Sequence, residues 1–330
     1  MTGLNALNLL RPGSVDEAIV ALLAHPGGRL LGGGTDLLVN MRRGIAQPET
    51  LIDTTGIAEI KRLVADGSGV TIGAGVTVAT LAADGLVAAR YPALSEAARS
   101  VAGPGHRKLG TVGGNLCLDT RCIYYNQTEW WRAANAHCLK NRGETCHVAP
   151  KGNRCHAAFS GDLAPALLVL GAEVEIAGPG GRRRIALGEL YIEDGRAHLA
   201  LRPGEVVVAV RLPPDPPDPP ASRYVKVRQR GAIDYPLAGI AVALTRSGSK
   251  IAQLRIALTG TNSRPFLLAE TAAFSQRPLD DALLREIDRL VQKQVQPMRT
   301  TLMPANYRRV VAAALASRVT AELFASLAQG

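Results

Sequence analysis

Aromatic side chains are scarce in this chain, 4% of 330 residues, although 47% of residues are hydrophobic. A core of this composition is built mainly from Ala, Val and Leu, and the length favours two or three domains. The opening MTGLNALNLLRPGS lacks the basic start, apolar run and small-residue cleavage site of a secretory signal. No uninterrupted apolar stretch reaches the roughly 18 residues of a membrane helix. The expectation is therefore a cytoplasmic protein with no membrane partner, in which five cysteines serve as ligands or buried thiols rather than disulfides. The net charge is +10, but the charges are dispersed. The one tight basic run, Arg182 to Arg184, follows the turn GPGG and reads as a hairpin with a solvated arm. No nucleic-acid recognition motif is present, so no nucleic-acid partner is expected.

The first fifty-odd residues form a small α/β unit. A strand at Leu7 to Leu10 leads to Ser14, which can cap a helix from Val15 to Leu23 with Glu17 in the capping-box position. A short strand at Arg29 to Leu31 then runs into three glycines, and a further strand ends near Asp53. Turn-rich strand signals follow, with helices around Ala82 to Tyr91 and in PALSEAARSVAGP. Later come a helix in SGDLAPALL, a hairpin and the strand EVVVAVRLP. Leu212 to Ser222 carries six prolines in eleven residues and reads as a stiff extended linker. Three strands and two amphipathic helices, near 279–295 and 305–328, complete an α+β carboxy-terminal part.

LLGGGTDLL and GTVGGN carry the chemistry. Consecutive glycines let backbone N–H groups approach an anion with no Cβ in the way. The first loop can set phosphate oxygens against its amides and the Thr35 hydroxyl, and the second can do the same from another strand. A nicotinamide-type fingerprint fails, because Gly32-x-Gly34 is followed by Leu37, not glycine, although Asp53 stands about where a ribose-binding acid would. Either loop alone is equally well a tight turn. The two together in an α/β frame point to a dinucleotide.

LLGGGTDLLVNMRRG, IGAGVTVATL, GTVGGNL, SGDLAPALLVLGAEV and YVKVRQRGAIDYPLAGIAVAL occur in the order of the FAD-binding subunit of the xanthine dehydrogenase family of molybdenum hydroxylases, and the resemblance runs nearly end to end. It implies the α+β FAD-binding fold of the vanillyl-alcohol-oxidase/molybdenum-hydroxylase flavoprotein type. Two α/β FAD-binding domains (1–55 and 56–215) would precede a carboxy-terminal domain (216–330) of a small antiparallel sheet packed with helices. By the same resemblance Arg29, Leu30, Leu31, Gly32, Gly33, Gly34, Thr35 and Asp36 belong to the loop that wraps the FAD pyrophosphate. Thr111, Gly113, Gly114 and Asn115 match the second loop, and Asp162 an acid that bonds the cofactor. Lys226, Val101 and Val207 match further contact positions, the two valines by spacing only. Without the resemblance, Asp162 reads as a helix N-cap and Lys226 as an exposed strand lysine.

The chain departs from most relatives between Asn115 and Asp162, where 46 residues replace a short turn. This insertion, at about 118–158, holds Cys122, Cys138, Cys146 and Cys155, both tryptophans and the pair Tyr124-Tyr125. The cysteines are separated by 15, 7 and 8 residues, with none of the close pairs usual for structural zinc. Spacing alone leaves open a [4Fe–4S] cluster, a mixed zinc site with His137, His147 or His156, and plain thiols. The insertion resembles that of the 4-hydroxybenzoyl-CoA reductases within the family, which carry an additional [4Fe–4S] cluster on this subunit. The resemblance makes the four cysteines its ligands and leaves Cys117 a buried thiol. The aromatic pairs are expected to pack the insert.

No molybdenum-cofactor motif and no plant-type ferredoxin pattern is present. The resemblance assigns the molybdenum cofactor to a large partner subunit and two [2Fe–2S] clusters to a small one, in an (αβγ)2 heterohexamer. It implies removal of the phenolic hydroxyl from 4-hydroxybenzoyl-CoA, with reduced ferredoxin as donor, in anaerobic aromatic degradation. The insert carries six basic residues (Arg121, Arg132, Lys140, Arg142, Lys151, Arg154) against three acidic ones, a net +3, and such a face can dock an acidic ferredoxin. Two rivals are an FAD subunit of an oxidising molybdenum hydroxylase and a non-enzymatic FAD scaffold with a zinc-stapled interaction loop.

Overall fold

The structure is a computed structural model that describes residues 7–214, 216 and 218–328. Three sheets organise it. The first is parallel, in the order β1 (Asn8–Leu10), β3 (Thr50–Asp53), β2 (Arg29–Leu31). The helix Val15–Ala24 crosses between β1 and β2. Ser14 caps it by accepting the Glu17 amide at 3.1 Å, and Glu17 reaches back to the Gly13 amide at 2.8 Å. Its face of Val15, Ala18 and Ile19 packs with Ile52 against Val206 and Val208 of the next sheet.

That second sheet is antiparallel, β4 (Leu63–Asp66), β5 (Gly69–Gly73), β8 (Val206–Leu212), β6 (Glu173–Gly178), β7 (Gly181–Ala186). The expected single helix around Ala82 to Tyr91 is two, Val78–Ala83 and Gly85–Arg90. Asp84 interrupts them because its carboxylate caps the second by accepting the Val87 amide at 2.9 Å. The arginine run lies on the β6–β7 hairpin as expected, but its side chains are ion-paired. Arg182 meets Glu59 at 2.5 Å and Glu175 at 3.1 Å, Arg183 meets Glu205 at 2.8 Å, and Arg184 meets Glu175 at 3.7 Å.

The third sheet is antiparallel, β12 (Phe266–Leu267), β11 (Lys250–Thr259), β10 (Ala238–Ser247), β9 (Ala221–Val227). The side chains of β10 alternate between two cores. Ile240, Val242 and Leu244 pack against the helices Asp281–Gln294 and Ala305–Ser326. Ala241 and Ala243 join the central core, which contains the helix Leu163–Val169. Every residue of that helix is buried, as expected for an apolar helix held between layers. The proline-rich stretch is shorter than expected, since Leu212 ends β8 and Ala221 begins β9; Asp215 and Pro217 lie outside the described residues. Among the described residues no helix is long and apolar enough to cross a membrane.

The insertion leaves the central unit through paired backbone bonds, Arg121 N–H to Ala158 O at 2.7 Å and Ala158 N–H to Arg121 O at 2.8 Å. A short helix, Glu129–Ala134, lies inside it. Arg132, fully buried, fastens the helix to the first unit by donating to the Gly44 carbonyl at 2.9 Å, to the Gln127 carbonyl and to Glu129. Arg308 from the last helix does the corresponding work on the other side. It donates to the Leu237 carbonyl at 2.9 Å, the Met298 carbonyl at 3.0 Å and the Thr300 hydroxyl at 2.9 Å, and the Thr300 carbonyl accepts the Ile123 amide at 2.9 Å.

Candidate functional site

The first glycine loop leaves β2 and enters the helix Leu37–Arg42. The turn needs Gly34, whose φ of +68° lies in the left-handed region. It also needs Gly33 for close approach, because a Cβ there would lie 1.8 Å from the Leu109 carbonyl oxygen of the second loop. A Cβ on Gly32 would meet the Thr111 hydroxyl at 3.0 Å. The two loops, some 75 residues apart in sequence, are therefore in direct contact. Among the described residues the amides of Gly33, Gly34 and Thr35 bond to no backbone carbonyl, and such donors are of the kind that hold a pyrophosphate. This cradle fits FAD. Arg29, Leu30 and Leu31 lie on the edge strand leading into it, and Asp36 accepts the Asn40 side-chain amide at 2.9 Å.

The second loop is built differently from its sequence expectation. It is the start of a short helix, Val112–Leu116, capped by the Thr111 hydroxyl, which accepts the Gly114 amide at 3.1 Å. The Gly113 amide is committed to the Ala74 carbonyl at 2.8 Å and the Asn115 amide to the Thr111 carbonyl at 2.9 Å. Its glycines serve packing: a Cβ on Gly113 would lie 2.8 Å from that of Ala74. The amide cradle belongs to the first loop, and the second loop forms its wall.

Asp162 stands at the N-cap position of the Leu163–Val169 helix, but its side chain does not cap. The Asn115 carboxamide oxygen does, accepting the Leu163 amide at 3.0 Å. Asp162 is freed to accept from Tyr224 at 2.7 Å and to pair with Lys226 at 2.9 Å, both partners on β9. The Asp162 and Lys226 side chains are 4% and 3% exposed, so Lys226 is no surface lysine. Burial raises the Asp162 carboxyl and lowers the Lys226 ammonium, and their mutual attraction opposes both shifts. Val101 ends the helix Pro92–Ser100, its carbonyl accepting from Arg107 at 2.8 Å; Val207, half-buried on β8, pairs with Ile176.

Cys122, Cys138, Cys146 and Cys155 are all buried and all line one small cavity of about 10 Å³, with Tyr124, Tyr125, Lys140 and His147. Chain wrapping brings them there. The Cys138 carbonyl accepts the amides of Asn141 at 2.7 Å and Gly143 at 3.0 Å, after two left-handed residues, Ala136 and His137. The Cys155 carbonyl accepts the Gly195 amide at 2.8 Å and the Ser263 hydroxyl at 3.2 Å. Burial pushes the Cys122 thiol up to about 12 and the Cys155 thiol to about 11, and the proximity of the other cysteines adds to both. Among the described residues, no three His, Cys, Asp or Glu side chains are grouped tightly enough to hold one metal ion. Cys117 stands apart at the end of the Val112–Leu116 helix, its thiol raised to about 12 by desolvation.

The histidines have local partners. His137 Nδ1 is 3.2 Å from Asn141 Oδ1, and His147 Nε2 meets the His137 carbonyl. Tyr124 packs with Trp131 and His147 at 6.2 and 5.1 Å between ring centroids. Trp130 does not pack the insert as expected; it is 79% exposed. The expected basic face is also thinned, because Arg121, Arg132 and Lys140 turn inward and Arg154 pairs with Glu193 at 3.3 Å.

Two groups were not legible as site residues. Arg121, next to Cys122, pairs with Asp36 of the glycine loop, lies 4.5 Å over the Tyr235 ring and donates to its hydroxyl at 2.6 Å. Tyr235 in turn reaches Asp36 at 3.3 Å. The insert and the glycine loop are thus clamped together. Lys140, two residues after Cys138, is the second. The signal available for both was a basic residue close to a cysteine.

Two glycine loops in direct contact are an arrangement suited to a nucleotide cofactor. Residues 5–215 match the FAD binding domain in molybdopterin dehydrogenase, and residues 223–323 the CO dehydrogenase flavoprotein C-terminal domain. The aldehyde oxidoreductase FAD-binding subunit PaoB of Escherichia coli is 36% identical over 270 residues, 79% of this chain and 83% of that one. The carbon monoxide dehydrogenase medium chain of Afipia carboxidovorans is 31% identical over 312 residues, 93% of each. The solved structure of Cu,Mo-CO dehydrogenase in its cyanide-inactivated form superimposes with a TM-score of 0.80 at 26% identity, over 98% of this chain and 99% of that one. The chain belongs to the family of FAD-binding subunits of molybdenum hydroxylases, and it is an FAD-binding oxidoreductase subunit.

Proposed function

We propose that this chain is an electron-transfer subunit holding FAD on its glycine loops and a [4Fe–4S] cluster on Cys122, Cys138, Cys146 and Cys155. The cavity shared by four buried cysteines carries the second half of this reading. Four buried thiols lining one cavity are the donor set that an iron–sulfur core takes. When bound, FAD and the cluster supply one- and two-electron redox chemistry.

The chain's own part is binding and insulation. The Gly33, Gly34 and Thr35 amides would receive the pyrophosphate, with Gly32, Asp36 and the Arg29–Leu31 strand beside them. Thr111, Gly113, Gly114 and Asn115 would wall the cofactor, with Val101 and Val207 as further contacts. Asp162 and Lys226 would bond it from the seam with the third sheet. Burial excludes water from the cysteines, and their raised thiols would release protons when the cluster assembles. A large molybdenum-cofactor subunit and a small [2Fe–2S] subunit would complete an (αβγ)2 assembly.

Two readings of the overall reaction have support. The four-cysteine insertion favours reductive dehydroxylation of 4-hydroxybenzoyl-CoA with reduced ferredoxin. The names of the relatives, aldehyde oxidoreductase and carbon monoxide dehydrogenase, favour an oxidising complex at least as well. Two experiments test the proposal. Purified protein should contain iron and sulfide near four each per chain with a flavin spectrum, and Cys146→Ser should remove the iron signal and keep FAD. One zinc and no sulfide would refute the cluster. The intact complex should then either form benzoyl-CoA from 4-hydroxybenzoyl-CoA with a reduced donor, or oxidise aldehydes with an acceptor dye; whichever turnover fails eliminates its reading.

A further inference from the structure

Lys140 is the one lysine in the wall of the cysteine cavity, and its side chain is only 5% exposed. Its ammonium donates to Asp119 Oδ1 at 2.6 Å, to the Thr120 carbonyl at 3.2 Å and to the Thr120 hydroxyl, and it lies 4.4 Å from the centroid of the Tyr125 ring. Tyr125 also lines the cavity, and the Thr120 hydroxyl donates in turn to the Gly195 carbonyl. The ammonium is thus held in place on several sides. Asp119, its counter-charge, is one-third exposed, so water screens the anion more than the cation.

We propose that Lys140 sets the reduction potential of the centre held by the four cysteines, with Asp119 moderating its effect. The inference rests on the cluster reading above. One-electron reduction adds a negative charge to the centre without making or breaking a bond. A fixed buried cation beside it favours the reduced state through Coulomb attraction that water screens weakly. Lys140 therefore holds the potential more positive than the cysteines and burial alone would. Asp119 pulls it back.

The test is a redox titration of the intact complex, followed by electron paramagnetic resonance, on the native chain and three variants. Lys140→Gln should lower the midpoint by about a tenfold change in the reduced-to-oxidised ratio, which is about 59 mV for one electron. Lys140→Arg, which keeps the charge, should stay near the native value. Asp119→Asn should shift the midpoint upward. An unmoved midpoint in Lys140→Gln with native iron and sulfide content would overturn the inference and leave the cluster reading intact. Native protein without iron and sulfide would overturn the cluster reading itself. If Lys140→Gln fails to assemble, Asp119→Asn decides: an upward shift supports the inference, and no shift or a downward one overturns it.

Discussion

Replacing Gly33 with alanine would place a methyl carbon 1.8 Å from the Leu109 carbonyl oxygen and 2.8 Å from the Gly110 nitrogen. Real Cβ atoms keep at least 3.0 Å from their neighbours, so the two loops must part by about 1.2 Å, the difference between those distances. The obstacle is backbone on both sides, and no rotamer change relieves it. Overpacking of this kind costs about 1–3 kcal/mol. If the strain is relieved by opening the cradle, that energy appears as a roughly five- to 150-fold weaker FAD dissociation constant. Apoprotein of the Gly33→Ala chain, titrated with FAD by flavin fluorescence, reads this directly, with circular dichroism confirming the fold. Gly27→Ala is the control, since a Cβ there meets nothing within 4 Å. Unchanged FAD affinity in Gly33→Ala would refute the assignment of the loop contact as the cofactor cradle.

Lys226→Met should strand the buried Asp162 carboxylate and destabilise the fold by about 3–5 kcal/mol in urea unfolding. The loss should shrink at lower pH, because a carboxyl whose folded pKa is raised binds its proton more tightly in the native state. His198 is buried and pushed down to about 4, first by desolvation and then by the Lys140 charge. Between that value and its ordinary 6.5 the unfolded chain binds the extra proton, so this contribution is complete above pH 6.5 and is lost as pH falls toward 4. It amounts to about 3 kcal/mol, and His198→Phe should flatten the slope of stability against pH in that window; parallel slopes would reject the assignment. Arg132→Met should release the insert from the Gly44 carbonyl. Limited proteolysis should then cut within 118–158 well before the native chain is cut, and equal resistance would show that Arg132 is not the fastener.

The local elements were legible where neighbours in sequence settle them. The Ser14–Glu17 cap and the glycine run leaving β2 each follow from residues within a few positions of one another. What the second loop's amides bond was less legible: Gly114 and Asn115 turn to Thr111 of the same loop, but the Gly113 amide goes to Ala74, which comes from a different segment. Likewise Lys226 is a plain strand lysine until β9 packs against the Leu163–Val169 helix and presents it to Asp162.

The sequence by itself determined the inventory of this protein: the order of the family motifs, two glycine loops, and four cysteines within residues 118–158. Tertiary structure decided what those parts face. The two loops touch, Arg121 clamps the insert to Asp36, and Lys140 turns inward to the cysteines, because docking of separate units brings together charges and carbonyls far apart in the chain. Once buried, such groups must find partners within reach, and only the assembled fold fixes which ones those are.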